Sequence, residues 1–94
     1  MDKILNNIGL CMRARGLVTG EEIVCEEMRK GHVYLVFLAN DAGQNTKKAI
    51  INKANFYNVE IIDKYSSYEL SQAIGKNNRM VIGVTNKNFV KILK

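Results

Sequence analysis

The sequence predicts an α/β fold, with helices on both faces of a small, largely parallel sheet. Three observations carry this expectation. Segments with apolar residues at helical spacing alternate with short apolar runs, in the order α, short β, α, β, α, β, α, β, α. The run VYLVFLA at residues 33–39 is apolar on both faces, as a central strand requires. At 94 residues the chain has the size of one domain, residues 1–94. A folded chain of 10.6 kDa should expose about 5,500 Å².

Asp2 is a candidate N-cap for a first helix over about residues 3–14. Ile4, Leu5, Ile8 and Met12 recur there at helical spacing, and Gly16 is expected to end it. Leu17 and Val18 form a very short extended piece. Thr19-Gly20-Glu21-Glu22 opens a second helix. Thr19 and Glu22 have capping-box spacing, hydroxyl to backbone N–H and carboxylate back to the cap. Ile23, Val24 and Met28 supply its stripe, and Gly31 follows the basic turn Arg29-Lys30.

After the strand at 33–39, Asn40-Asp41-Ala42-Gly43 is turn chemistry. A third helix carries Ile50, Ala54 and Tyr57 on one face, and Asn58 suits a left-handed stop. Residues 59–62 read as a second short strand. Ser66 and Glu69 make another capping box, Leu70, Ala73 and Ile74 follow, and Gly75 ends that helix. Residues 76–79 (KNNR) form a polar loop before a strand at 80–84 (MVIGV). Asn86 caps a last helix with Phe89, Ile92 and Leu93 turned inward.

Fourteen Lys and Arg against nine Asp and Glu leave a net charge of +5. That favours a polyanionic partner, RNA, DNA or an anionic surface. Two cysteines, Cys11 and Cys25, with one His fall short of a four-ligand zinc site or a disulfide scaffold. No metal and no cofactor is expected. The run at 33–39 is too short to span a bilayer, and the Met-Asp start has no signal-peptide core. The expected location is the cytoplasm, with no membrane partner.

Several side chains are candidates for contact with RNA. Lys47 and Lys48 fall near the first turn of the third helix, where cations oppose the macrodipole but suit phosphate. Lys76 and Arg79 flank Asn77 and Asn78 in a loop on a rigid scaffold. Arg13 and Arg15 sit at a helix end that welcomes basic residues. Glu21, Glu22, Glu26 and Glu27 are unusual in a basic chain. The cap and the dipole account for the first two, and a solvated face for the others. A carboxylate there could instead accept from guanine N–H groups. His32 stands alone. Asp41 and Asp63 follow strands, where α/β sites form, but no catalytic set is present. There is no GxxxxGKS/T or GxGxxG loop and no Ser-His-Asp or Cys-His arrangement.

With this order in place, the sequence resembles the RNA-binding superfamily named for ribosomal proteins L-seven-Ae and L-thirty-e. The resemblance is closest to its small bacterial YlxQ-like members. It is carried by IGLCMRARGLVTGEE (8–22), RKGHVYLVFLANDAGQNTKK (29–48), YNVEI (57–61) and SYELSQAIGK (67–76). It implies a three-layer α/β/α sandwich around a small four-stranded mixed sheet, and binding to kink-turn or similar internal-loop RNA.

The family's turn into the second helix reads G-x-N-E-x-x-K. Gly20 matches its glycine, and Glu22, Ile23 and Glu26 stand at its Asn, Glu and Lys. Glu22 can still accept a guanine N–H; Ile23 carries no acceptor, and Glu26 reverses the charge. The family's loop after Gly75 offers apolar residues to a flipped-out nucleotide. Here only Met80 and Val81 are apolar.

The expected function is non-enzymatic binding of ribosomal or other structured RNA, by a monomer, with the ribosome as a candidate assembly. The binding face would join Thr19, Gly20, Glu21, Glu22, Ile23 and Glu26 with Asn40, Lys47 and Lys48 and with the 76–81 loop. The alternative is a protein-interaction adaptor with the same fold and a degraded RNA site. A detached substrate-binding module of an RNA-modifying enzyme ranks third.

Overall fold

The computed structural model describes residues 2–94. The chain runs α1 (Lys3–Arg13), β1 (Leu17–Thr19), α2 (Glu21–Arg29), β2 (Leu35–Leu38), α3 (Gln44–Tyr57), β3 (Glu60–Ile62), α4 (Ser67–Ile74) and β4 (Val81–Val84). A 3₁₀ turn at Lys87–Phe89 then leads into the short α5 (Val90–Leu93). The strand order is β1-β4-β2-β3. β4 is antiparallel to both β1 and β2, and β3 is parallel to β2. The sheet is therefore mixed, not largely parallel. Alternation along the chain does not reveal that β4 inserts between β1 and β2. α1, α4 and α5 pack together, as do α2 and α3, so the five helices enclose the sheet.

Apolar content places the core. Leu35, Val36, Phe37 and Leu38 of β2 and all of β4 are buried, as a strand covered on both faces requires. Leu5, Ile8 and Cys11 of α1, Val24 and Met28 of α2, Ile50 and Ala54 of α3, and Leu70 and Ile74 of α4 close over them. The accessible surface is 5660 Å², close to the expectation from mass.

Most helix ends follow their local chemistry. The Asp2 carboxylate accepts from the amides of Ile4 (2.7 Å) and Leu5 (3.4 Å). Ser66 and Glu69 form the reciprocal box, at 3.1 and 2.9 Å. Asn58, Gly75 and Gly31 adopt positive φ at or just beyond the ends of α3, α4 and α2.

Four expectations need correction. Thr19 and Glu22 form no capping box. Thr19 is drawn into β1 opposite Ile82, and Gly20 (φ 98°) becomes the N-cap of α2 with no side-chain cap bond. Gly16 does not supply the turn after α1, because Arg15 takes the positive φ of 59°. Gly16 instead permits close packing: a Cβ there would lie 2.9 Å from Cys11 Sγ. The run at 33–39 is strand only over Leu35–Leu38, and Tyr34 is 46% exposed. Asn86 caps the 3₁₀ turn rather than a full helix, and Ile92 is 44% exposed although Leu93 is buried.

Candidate nucleic-acid interface

Strand register brings three separate segments to one end of the sheet. Thr19, the last residue of β1, lies opposite Ile82, and the Gly20 amide donates to the Val81 carbonyl at 2.9 Å. Leu38, the last residue of β2, lies opposite Val81, and the Ala39 amide donates to the Met80 carbonyl at 2.8 Å. The start of α2, the segment leaving β2 toward α3, and the loop entering β4 therefore share this end. Arg15 precedes β1 and falls at the opposite end, where Leu17 pairs with Val84.

At the start of α2, Glu21, Glu22 and Ile23 are exposed, Ile23 to 55%. Carboxylates in a first turn are favoured by the helix dipole. Glu26, one turn on, is hydrogen-bonded to the Arg29 guanidinium and lies 4.0 Å from Lys30 Nζ. The Arg29 hydrogen bond and charge hold its carboxyl below the usual range. Glu27 meets His32 Nδ1 at 3.0 Å and Lys30 Nζ at 3.6 Å. Glu26 and Glu27 are thus paired with basic residues at the C-terminal end of α2 and just beyond it, whereas Glu21 and Glu22 form no ion pair among the described residues.

Asn40 is a clasp. Its amide donates to the Tyr65 carbonyl at 2.9 Å and its side-chain nitrogen to the Lys64 carbonyl at 3.2 Å. Asp41 accepts from the Ser67 amide (2.8 Å) and hydroxyl (2.7 Å), bonds that lower its pKa. These contacts tie the β2–α3 turn to the start of α4 and give Asp41 a structural role. Lys47 is half-buried and Lys48 exposed in the early turns of α3.

The loop entering β4 is anchored by a residue that the sequence reading passed over. Ser71, buried on α4, accepts from the Arg79 amide at 2.9 Å, and its carbonyl accepts from the Lys76 amide at 2.9 Å. Lys76, Asn77 and Asn78 are exposed, and Asn78 holds a φ of 54°. Arg79 is half-buried, its Nε buried without an acceptor. Met80 is half-buried. Val81 is fully buried, so its side chain belongs to the core, and its carbonyl accepts from the Gly20 amide. Tyr68 is the other residue the reading missed. It lies off the stripe of Leu70 and Ile74 and is 71% exposed, and an aromatic off the apolar stripe was the available signal.

Among the described residues, no group of three or more His, Cys, Asp or Glu comes together to hold a metal. Burial pushes the Cys11 thiol up to about 11, so it is unreactive at neutral pH. No helix among the described residues is long and apolar enough to cross a membrane.

Comparison with known proteins places this arrangement among relatives. Residues 2–94 match the sequence pattern of the ribosomal protein L7Ae/L30e/S12e/Gadd45 family. The chain is 42% identical over 92 residues to the RNA-binding protein YlxQ of Enterococcus faecium, spanning 98% of this chain and 88% of that protein. It is 40% identical over 86 residues to the RNA-binding protein YlxQ of Bacillus subtilis, spanning 92% and 86%. A solved structure of a Bacillus halodurans protein of unknown function superposes with a TM-score of 0.95 at 41% identity, covering 99% of this chain and 94% of that one. The Giardia lamblia 15.5kD RNA binding protein shares the fold at a TM-score of 0.81 and 15% identity, covering 97% and 78%.

Proposed function

This chain belongs to the ribosomal protein L7Ae/L30e/S12e/Gadd45 family, and from that premise we propose that it is a non-enzymatic, cytoplasmic RNA-binding protein. Its target is a kink-turn or related internal loop in ribosomal or other structured RNA, bound by a monomer whose residues 1–94 act as one binding unit. The ribosome is the candidate assembly. The observation that carries this reading is the register that puts Gly20, Ala39 and Met80 at one sheet end. The segments leaving that end carry Lys47, Lys48, Lys76 and Arg79, which suit phosphate. Glu21 and Glu22 stand beside them as free acceptors for base N–H groups. The relatives' description as RNA-binding proteins supports the same reading.

A salt-titrated binding measurement with a kink-turn RNA and a scrambled duplex tests it. Tighter binding to the kink-turn, with affinity falling as salt rises, is expected. Equal affinity for both RNAs would remove the internal-loop target, and no binding to either would favour the second reading. That reading, a protein-interaction adaptor, draws on one observation. Ile23, 55% exposed, forms a small cleft with Glu22, Glu26 and Glu27, a surface better matched to a basic, apolar protein segment than to phosphate.

A further inference from the structure

All nine acidic residues of the chain lie at position 2 or between positions 21 and 69. Residues 3–20 and 70–94 carry eight Lys and Arg and no Asp or Glu. The net charge of +5 therefore comes wholly from these two segments. They meet in space: α1 packs with α5, and the Asn7 side chain donates to the Ile92 carbonyl at 2.8 Å.

Arg13, Arg15 and Lys87 gather at the end of the sheet away from Gly20, Ala39 and Met80. Leu17 pairs with Val84 there, and the Gly16 carbonyl accepts from the amides of Thr85 (2.8 Å) and Asn86 (3.2 Å). The chain leaving α1 through Arg13 and Arg15 is thus pinned beside the chain leaving β4 toward Lys87, and Lys91 follows one turn on. All four cations are exposed, and none forms an ion pair among the described residues. Glu60, the acid that starts β3 at this end, is already held by Lys94 Nζ at 2.6 Å. α1 begins at the other end, where Asp2 accepts from the Tyr65 hydroxyl. Its 11 residues separate the two ends by about 16 Å, about twice the Debye length at physiological salt.

We infer that this end of the molecule holds the phosphate backbone of a second RNA helix, whatever its sequence, so that one chain bridges two RNA segments. The inference rests on the RNA-binding reading above and concerns residues outside the interface proposed there. Unpaired cations with no free acid among them attract a polyanion. Arg and Lys on phosphate position a strand without reading its bases, and an RNA duplex presents its backbone while its deep groove stays closed to side chains. An acidic protein segment would need apolar anchors, and an anionic membrane a continuous apolar stripe. On α1 and α5, Leu10 and Ile92 are the only exposed large apolar residues among the described residues.

The test saturates the protein with a kink-turn hairpin RNA and then titrates a fluorescent, fully paired RNA duplex. A ternary complex is expected, with duplex affinity falling as salt rises. Arg13→Gln, Arg15→Gln and Lys87→Gln together should lower duplex affinity roughly 10- to 100-fold and the salt slope by about three units or less. Kink-turn affinity of the same variant at physiological salt should stay within about twofold, which also shows that it folds. Arg13→Lys with Arg15→Lys, which keeps the charge, should hold duplex affinity within about threefold. A kink-turn complex that excludes the duplex, parental duplex binding by the Gln variant, or an equal loss on both RNAs overturns the inference and leaves the RNA-binding reading standing. A parent that takes up the duplex without preferring the kink-turn overturns the kink-turn target and leaves this surface standing, and a parent that binds neither RNA overturns both. Binding of polyglutamate or of phosphatidylglycerol vesicles that the Gln variant loses, with duplex binding unchanged, would assign the surface to a protein or a membrane and overturn the inference.

Discussion

The amide of Gly20 donates to the carbonyl of Val81 at 2.9 Å, so helix α2 starts directly from the end of the sheet ladder. The bond continues the β1–β4 pairing one residue beyond Thr19. It also holds Gly20 at a φ of 98°, a region that residues with a Cβ avoid. A Cβ at Gly20 would have nothing within 4 Å, so only the backbone would resist it. Gly20→Ala should therefore cost about 1–3 kcal/mol of stability, measured by urea unfolding. A cost below about 0.5 kcal/mol would mean the turn relaxes without strain.

Thr19 and Glu22 make no cap bond, whereas Ser66 and Glu69 do. Ser66→Ala should cost about 0.5–2 kcal/mol, and Glu22→Ala less than about 0.5 kcal/mol. Glu22 then becomes a clean probe of recognition. If it accepts from guanine, Glu22→Ala should lose about 1–3 kcal/mol of RNA binding, by analogy with base-edge contacts in DNA. Full retention of affinity would assign Glu22 to solvent alone.

Lys47, Lys48, Lys76 and Arg79 should contribute through charge. Replacing Lys48 and Arg79 together by Gln should lower affinity more at low salt than at high salt. Each replacement should reduce the salt slope by about one unit or less. An unchanged slope would remove both residues from the interface.

Ser71 anchors the loop that carries Lys76 to Arg79. Ser71→Ala leaves the Arg79 amide without its acceptor, which should cost about 1–3 kcal/mol. Hydrogen exchange at residues 76–79 should accelerate and RNA affinity should fall with it. Ser71→Thr tests whether the hydroxyl alone suffices. Loop exchange unaltered in Ser71→Ala would show that the loop holds itself.

Asp41 and Asp2 set an acid limb. Ser67 lowers the pKa of Asp41, and the Tyr65 hydroxyl, 2.9 Å away, lowers that of Asp2. A carboxylate with a lowered folded pKa stabilises the fold fully above its unfolded value of about 3.9. That stability is lost as pH falls through the folded value. Melting temperature should drop as pH falls below about 4, and Asp41→Asn should flatten that drop while lowering stability at neutral pH. An identical pH profile in the variant would show that the Ser67 contacts contribute nothing in solution.

Sequence alone determined what neighbouring residues settle among themselves. Asp2 and Ser66 cap, Asn58 and Gly75 turn left-handed, and residues 35–38 are apolar on both faces. Each of these depends on chemistry within a few positions of the chain. The candidate site was legible to the same extent: Glu22, Lys48 and Lys76 are exposed on the expected elements, but their meeting at one sheet end is a matter of strand register. Tertiary structure decided the rest. Local pattern cannot say which strand edge β4 finds, since a run buried on both faces reads alike in parallel and antiparallel company. Once β4 lies between β1 and β2, Thr19 is taken into the ladder and lost as a cap. Val81 is sealed into the core, and Tyr68 comes to face the loop held by Ser71. The physical reason is that pairing and burial between distant segments outweigh local preference wherever the two compete.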